Sequence, residues 1–153
     1  MRVIDLVIFP VTPSSLDLWS CKETLDKMDP KSKVLLNNKI RLLINRKITG
    51  TRVGREMRQA LETFNRPVFN TELCQRVAYI DAMLHGVSVM QFAPSSKAAA
   101  EIAQWSQEVV TLIRAEMAEE DAANNSIAAL YQEETDNILR HSFQNRNYSS
   151  QES

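Results

Sequence analysis

Nine lysines and arginines fall between Lys39 and Arg76, against three acidic residues. Within that stretch Arg46, Lys47, Arg52, Arg55 and Arg76 form a set able to neutralise the phosphates of a nucleic acid. Such contacts position a duplex without reading its sequence. The same residues also suit a solvated helix face, with Glu56 and Glu62 pairing to nearby arginines. Asn45 ends an apolar run just before them. Its amide offers both a donor and an acceptor, and it is equally able to bond its own local backbone. Charge is unevenly spread along the 153 residues: positions 1–97 carry net +6 and positions 98–153 net −7. A polyanion-facing middle with a solvated acidic end, or plain uneven surface charge, both fit this asymmetry.

Several chemistries are disfavoured by composition. The chain has three glycines, Gly50, Gly54 and Gly86. A phosphate-cradling loop places glycines within a few residues of a lysine and a Ser or Thr. Gly50-Thr51-Arg52-Val53-Gly54-Arg55 is not followed by the lysine and the Ser or Thr of such a loop, so it is not read as one. Cys21 and Cys74 have no metal-ligand spacing, and without a signal peptide they suggest a reduced cytoplasmic setting. His85, next to Gly86, reads as a helix-end cation with no catalytic work. No catalytic residue and no metal ligand is assigned. Neither is there an apolar run of the about 20 residues that cross a membrane.

The elements that must position these residues alternate. Val3 to Val11 reads as a strand buried on both faces and central in a parallel sheet. Pro10 and Pro13 end it and open a helix, with Ser14 as cap and Leu18, Cys21, Leu25 and Met28 as the buried stripe. Asp29-Pro30 closes that helix. Leu42-Leu43-Ile44 is a second strand. Thr51 caps an amphipathic helix over 52–64 whose apolar side is Val53, Met57, Ala60, Leu61 and Phe64. Pro67–Asn70 is a short third strand. A helix over 75–85 stops at Gly86, and a loop with Pro94 follows. Ser95 and Ser96 cap a last strong helix to about Met117, with Ile102, Trp105, Val109, Leu112 and Ile113 inward. Strand–helix alternation of these lengths predicts βαβ units and an α/β parallel sheet of about three strands. The expected domain is 1–117, followed by an acidic tail over 118–153, part helical with Ser126 as a cap and part disordered. Tyr131, Ile138 and Leu139 either dock on a partner or fold back.

Six segments, in order, resemble the C-terminal half of the ParA family of partition ATPases, relatives of MinD. They are DLVIFPVTPSSLD (5–17), LLINRK (42–47), TRVGREMRQALE (51–62), RPVFNTEL (66–73), QRVAYIDAMLHGVSV (75–89) and PSSKAAAEIAQW (94–105). The resemblance implies a partial P-loop NTPase-like fold that lacks the Walker A and Walker B segments, from a truncated or internally started frame. It implies plasmid or chromosome partitioning by a chain without ATPase activity alone. A non-enzymatic DNA- or ParA-binding module and a decayed gene remnant are the alternatives. By resemblance Asn45 faces adenine, and Leu73 and Cys74 pack on it. Pro10 and Pro13 lie near a dimer interface, and the five basic residues contact DNA. The implied cofactors are ATP and Mg, not held tightly by this chain alone. The implied partners are non-specific DNA, a ParB-like centromere-binding protein, and a ParA-like homodimer or full-length ParA. No membrane is implied, and the location is cytoplasmic and nucleoid-associated.

Overall fold

The computed structural model describes residues 6–28, 31, 36 and 39–148, with side chains through residue 135. Two units divide the chain, Met1–Ile113 and Arg114–Ser153, where the sequence suggested a boundary after 117. In the first unit the order is β1 (Val7–Val11), α1 (Ser15–Lys27), β2 (Ile40–Ile44), α2 (Arg52–Glu62), α3 (Val77–Leu84) and α4 (Val89–Phe92). A last helix, α5, spans Lys97–Tyr148 and so supplies residues to both units.

β1 and β2 pair in parallel, with Val7 opposite Ile40 and Val11 opposite Ile44. Period-2 alternation sends the two faces of this sheet into separate cores. Val11, Ile40, Leu42 and Ile44 join Cys21 and Leu25 of α1 and Met57 and Leu61 of α2, with Val7, Phe9, Leu18 and Met28 packed around them. On the other face Leu43, Phe69 and Leu73 meet Ile102, Trp105, Val109 and Leu112 of α5, with Leu6 and Ile8 beside them. Phe69 and Trp105 touch edge to face, centroids 6.1 Å apart. Ile40, Leu42, Ile44 and Leu61 are fully buried. Each such side chain contributes about 1.5–3 kcal/mol of transfer free energy.

Among the described residues β1 pairs with β2 alone. Val7 donates to Lys39 O at 2.9 Å, and Val11 O accepts from Asn45 N at 3.0 Å. The intervening nitrogen of Pro10 therefore faces away from β2, where its missing N–H costs no ladder bond. Pro10 is exposed and Val7, Ile8 and Phe9 are only half-buried.

The third strand is an irregular segment along the other side of β2. Leu42 N donates to Pro67 O (2.9 Å) and Phe69 N to Leu42 O (2.8 Å). The ladder resumes with Leu73 N to Ile44 O (2.9 Å), Lys47 N to Leu73 O (3.0 Å) and Gln75 N to Lys47 O (2.9 Å). Four residues on this segment thus span two on β2. That mismatch is a bulge over 70–72, and it bends the chain as such insertions do.

The caps follow the sequence closely. Ser14 Oγ accepts from Asp17 N at 3.1 Å, Thr51 Oγ1 from Gly54 N at 3.1 Å and Ser96 Oγ from Ala99 N at 3.1 Å. Helix α1 ends at Lys27, and Asp29-Pro30 lies outside the described residues. Three local expectations are corrected. Val53 is 51% exposed, because Gly54, Met57 and Leu61 form the inward face of α2 instead. The loop before Pro94 contains α4, closed by a reciprocal capping box between Ser88 and Gln91. Helix α5 does not break near 118. Ser126 Oγ donates to Ala122 O at 2.9 Å from inside the helix rather than capping a new one.

Gly54 sits where the backbone approaches closely. A Cβ there would stand 2.8 Å from Thr51 Oγ1 and 2.9 Å from the backbone oxygen of Ile48. Gly54→Ala must push α2 off the loop that precedes it. The expected loss is about 1–3 kcal/mol of unfolding free energy, read by urea denaturation. An unchanged midpoint would show that the contact is not this close.

Candidate functional site

In an open parallel sheet the strand carboxyl ends open onto the crevice where ligands bind. Here β2 ends at Ile44 and the bulged segment runs out through Leu73 and Cys74. Between them lies a pocket of about 290 Å³, near the lower end for small-molecule sites. Asn45, Arg46, Leu73, Cys74, Gln75, Arg76, Tyr79, Ile80 and Ile102 line it, with mostly apolar walls. The structure thus brings Asn45, Leu73 and Cys74 together, along with two of the five basic residues.

The bulge that delivers Leu73 and Cys74 is held by side chains from two helices. Glu108 of α5 accepts from Asn70 N at 2.6 Å and Thr71 N at 3.0 Å. These are the N–H groups that no longer face β2. Arg58 of α2 donates Nη2 to Phe69 O at 3.0 Å and Asn70 O at 3.1 Å, and its Nε to Glu72 Oε1 at 3.2 Å. Among them Phe69 and Thr71 are buried, where an unbonded backbone group costs about 1–3 kcal/mol.

A second carboxylate, Glu101, fixes the pocket wall. It accepts from Cys74 N at 3.2 Å, from Tyr79 OH at 3.2 Å, and from Arg76 through Nε at 3.0 Å and through Nη2. Burial favours its neutral form, yet the Arg76 guanidinium and the Cys74 N–H outweigh this and hold the carboxyl below its usual value. Burial first, then the Glu101 charge, pushes Tyr79 up to about 12. The Cys74 thiol is raised by burial and by Glu101.

Asn45 adopts the local arrangement: its Oδ1 accepts from Arg46 N at 2.9 Å. That leaves the two protons of the amide Nδ2 without a use in this local bond. Arg46 itself sits at φ 55°. A left-handed arginine costs on the order of 1 kcal/mol, and it turns the chain from strand end to loop.

The five basic residues separate into two kinds. Arg46, Arg52 and Arg55 are exposed. Arg52 pairs with Glu56 at 2.7 Å, and Arg55 donates to Gly50 O at 3.0 Å. Lys47 and Arg76 are half-buried and committed to Glu72 and Glu101 respectively. Their charges serve the fold of the pocket loop. Pro10 is exposed on β1 and Pro13 half-buried in the turn before α1. Neither touches the pocket. His85 Nδ1 lies 2.8 Å from Asp81 O, and its ring stacks on Phe92.

Arg58, Glu72, Glu101 and Glu108 escaped the sequence reading. Their partners on the 69–76 segment lie up to 38 positions away. One signal was available: Glu101 and Glu108 are seven apart, two helical turns, and flank the inward stripe of Ile102, Trp105 and Val109. Among the described residues no three His, Cys, Asp or Glu side chains converge to hold a metal, and no helix is long and apolar enough to cross a membrane.

No protein-family model matches the chain. It is 33% identical over 107 residues to "Maintenance of carboxysome distribution protein A" of Halothiobacillus neapolitanus, a match covering 69% of this chain and 50% of that protein. The chain spans about half the length of the curated relative it matches. This similarity supports, at a coarse level, the ParA-like relationship implied by the six segments.

Glu101 ties acid stability to the pocket. A carboxyl with a depressed folded value stabilises above its unfolded value of about 4.3 and loses that contribution as pH falls through the folded value. Glu101→Gln is expected to lower stability at neutral pH by about 1–3 kcal/mol and to flatten the loss below about pH 4.3. Denaturation midpoints across pH test this. Parallel wild-type and variant curves would refute it.

Proposed function

We propose that this chain is the base-recognising part of a ParA-type positioning protein. The single observation that carries this reading is the pocket at the strand ends, where Asn45, Leu73 and Cys74 meet. A flat apolar ring suits its walls, and the Asn45 Nδ2 donor suits a ring nitrogen of adenine. The relative's name assigns that protein to the distribution of carboxysomes. Carrying the positioning of a cellular body or of DNA to this chain is part of the proposal, as are the P-loop NTPase-like fold and the location on the nucleoid.

ATP and Mg bear differently on the residues present. The base side fits. The triphosphate and Mg side does not, since neither a lysine-bearing glycine loop nor a converging acid set is found among the described residues. Phosphoryl transfer depends on those groups for positioning and charge neutralisation. No hydrolytic step is therefore assigned to this chain. Exposed Arg46, Arg52 and Arg55 favour the non-enzymatic reading as well, in which the chain holds DNA, a ParB-like protein, a second copy or a full-length ParA without turnover. Pro10 and Pro13 mark the edge at which a ParA-like dimer contact is proposed.

Titration with a fluorescent ATP analogue tests the base pocket. Weak binding is expected, with Asn45→Ala about tenfold weaker, the equivalent of one lost hydrogen bond. Hydrolysis should stay at the buffer blank. Equal affinity in Asn45→Ala would end the adenine assignment. A protein-dependent turnover would contradict the absence of an assigned hydrolytic step. For DNA, Arg46→Ala/Arg52→Ala/Arg55→Ala should abolish a low-salt gel shift that fades steeply as salt rises. A shift retained by that variant would rule out this face.

A further inference from the structure

The second unit contains an unpartnered helical face with an unusual charge pattern. In α5, Met117, Ile127, Leu130 and Tyr131 are 60%, 51%, 66% and 67% exposed. Ile127, Leu130 and Tyr131 stand at i, i+3 and i+4, so they share one side of the helix. Helices in water draw most of their stability from packing such a side rather than from propensity. Around this stripe the sequence places Glu116, Glu119, Glu120 and Asp121 before it and Glu133, Glu134 and Asp136 after it. Between Arg114 and Arg140 there is no lysine, arginine or histidine.

Charge selects the occupant. A second copy would set these acidic side chains against their own kind, with no lysine or arginine between Arg114 and Arg140. Nucleic acid and an anionic lipid surface carry the same sign as the helix and are repelled. We propose that this stretch of α5 is a docking surface for a basic amphipathic helix of a partner protein. The apolar stripe supplies burial and the flanking carboxylates fix register, as charged flanks do in paired helices. The acidic groups at 119–121 and 133–136 are centred about 14 residues apart, about 20 Å along a helix. The partner helix thus carries two lysine- or arginine-rich clusters at that separation, with two or three turns of apolar side chains between them.

The test uses the full chain and three synthetic helical peptides. One has lysine clusters about 20 Å apart flanking a central leucine stripe, one replaces its lysines by glutamate, and one replaces its leucines by serine. Fluorescence anisotropy should show binding of the lysine–leucine peptide, weakened at least tenfold in the lysine–serine peptide. The glutamate peptide should not bind. Leu130→Gln/Tyr131→Gln, which keeps good helix formers, and Glu133→Lys/Glu134→Lys should each weaken the first peptide at least tenfold. Equal binding of the leucine and serine peptides would reduce the effect to simple charge attraction and overturn the proposal. So would binding of the glutamate peptide. Sedimentation of the chain alone showing a dimer that Leu130→Gln/Tyr131→Gln dissolves would assign the stripe to a second copy and likewise overturn it.

Discussion

A bulge of two residues in the segment beside β2 is the constraint on which the candidate site depends. Without it, Phe69 to Leu73 would run in register with Leu42 to Ile44, and Cys74 and Arg76 would leave the sheet elsewhere. The bulge frees backbone groups of Phe69, Asn70 and Thr71 from the ladder. Glu108 binds two of the freed N–H groups and Arg58 two of the freed carbonyls. Charged partners make such bonds about twice as strong as neutral ones. Side chains of α2 and α5 thus take the bonding places that the ladder leaves open along this segment.

The pocket is then a consequence of two strand ends held at fixed spacing. Asn45 and Arg46 leave β2 through a left-handed turn, and Leu73 and Cys74 leave the bulged segment. Glu101 ties Cys74, Arg76 and Tyr79 of the lining together. Lys47 and Glu72 tie the two loops to each other. Half-buried ion pairs of this kind are poor sources of net stability but are costly to break from one side. Their role here is to fix the shape of the opening. The charge left for a polyanion is correspondingly smaller than the count of basic residues suggests, and it lies on Arg46, Arg52 and Arg55.

Local structure was readable from the sequence where its cause is local. Ser14, Thr51 and Ser96 cap helices because each sits three residues before an N–H that it can accept. The stripe of Leu18, Cys21, Leu25 and Met28 on α1 is a matter of spacing. The bulge was not readable, because it follows from a register mismatch between segments about 27 residues apart. Helix α5 was expected to falter near Glu119-Glu120-Asp121 and Asn124-Asn125. It continues because those residues cost only a few tenths of a kcal/mol each in a helix, and no glycine or proline interrupts 97–148. Of the candidate site, Asn45, Leu73, Cys74 and the exposed arginines came from the sequence and its resemblance. The glutamates and Arg58 that hold them came only from long-range geometry.

Amide hydrogen exchange at the bulge tests the account most directly. Asn70 and Thr71 N–H should be protected in the native chain and exchange freely in Glu108→Ala, while Phe69 and Leu73, bonded to β2, stay protected in both. Free exchange of Asn70 and Thr71 in the unmodified chain would contradict the account, because the clamp that shapes the pocket would then not exist.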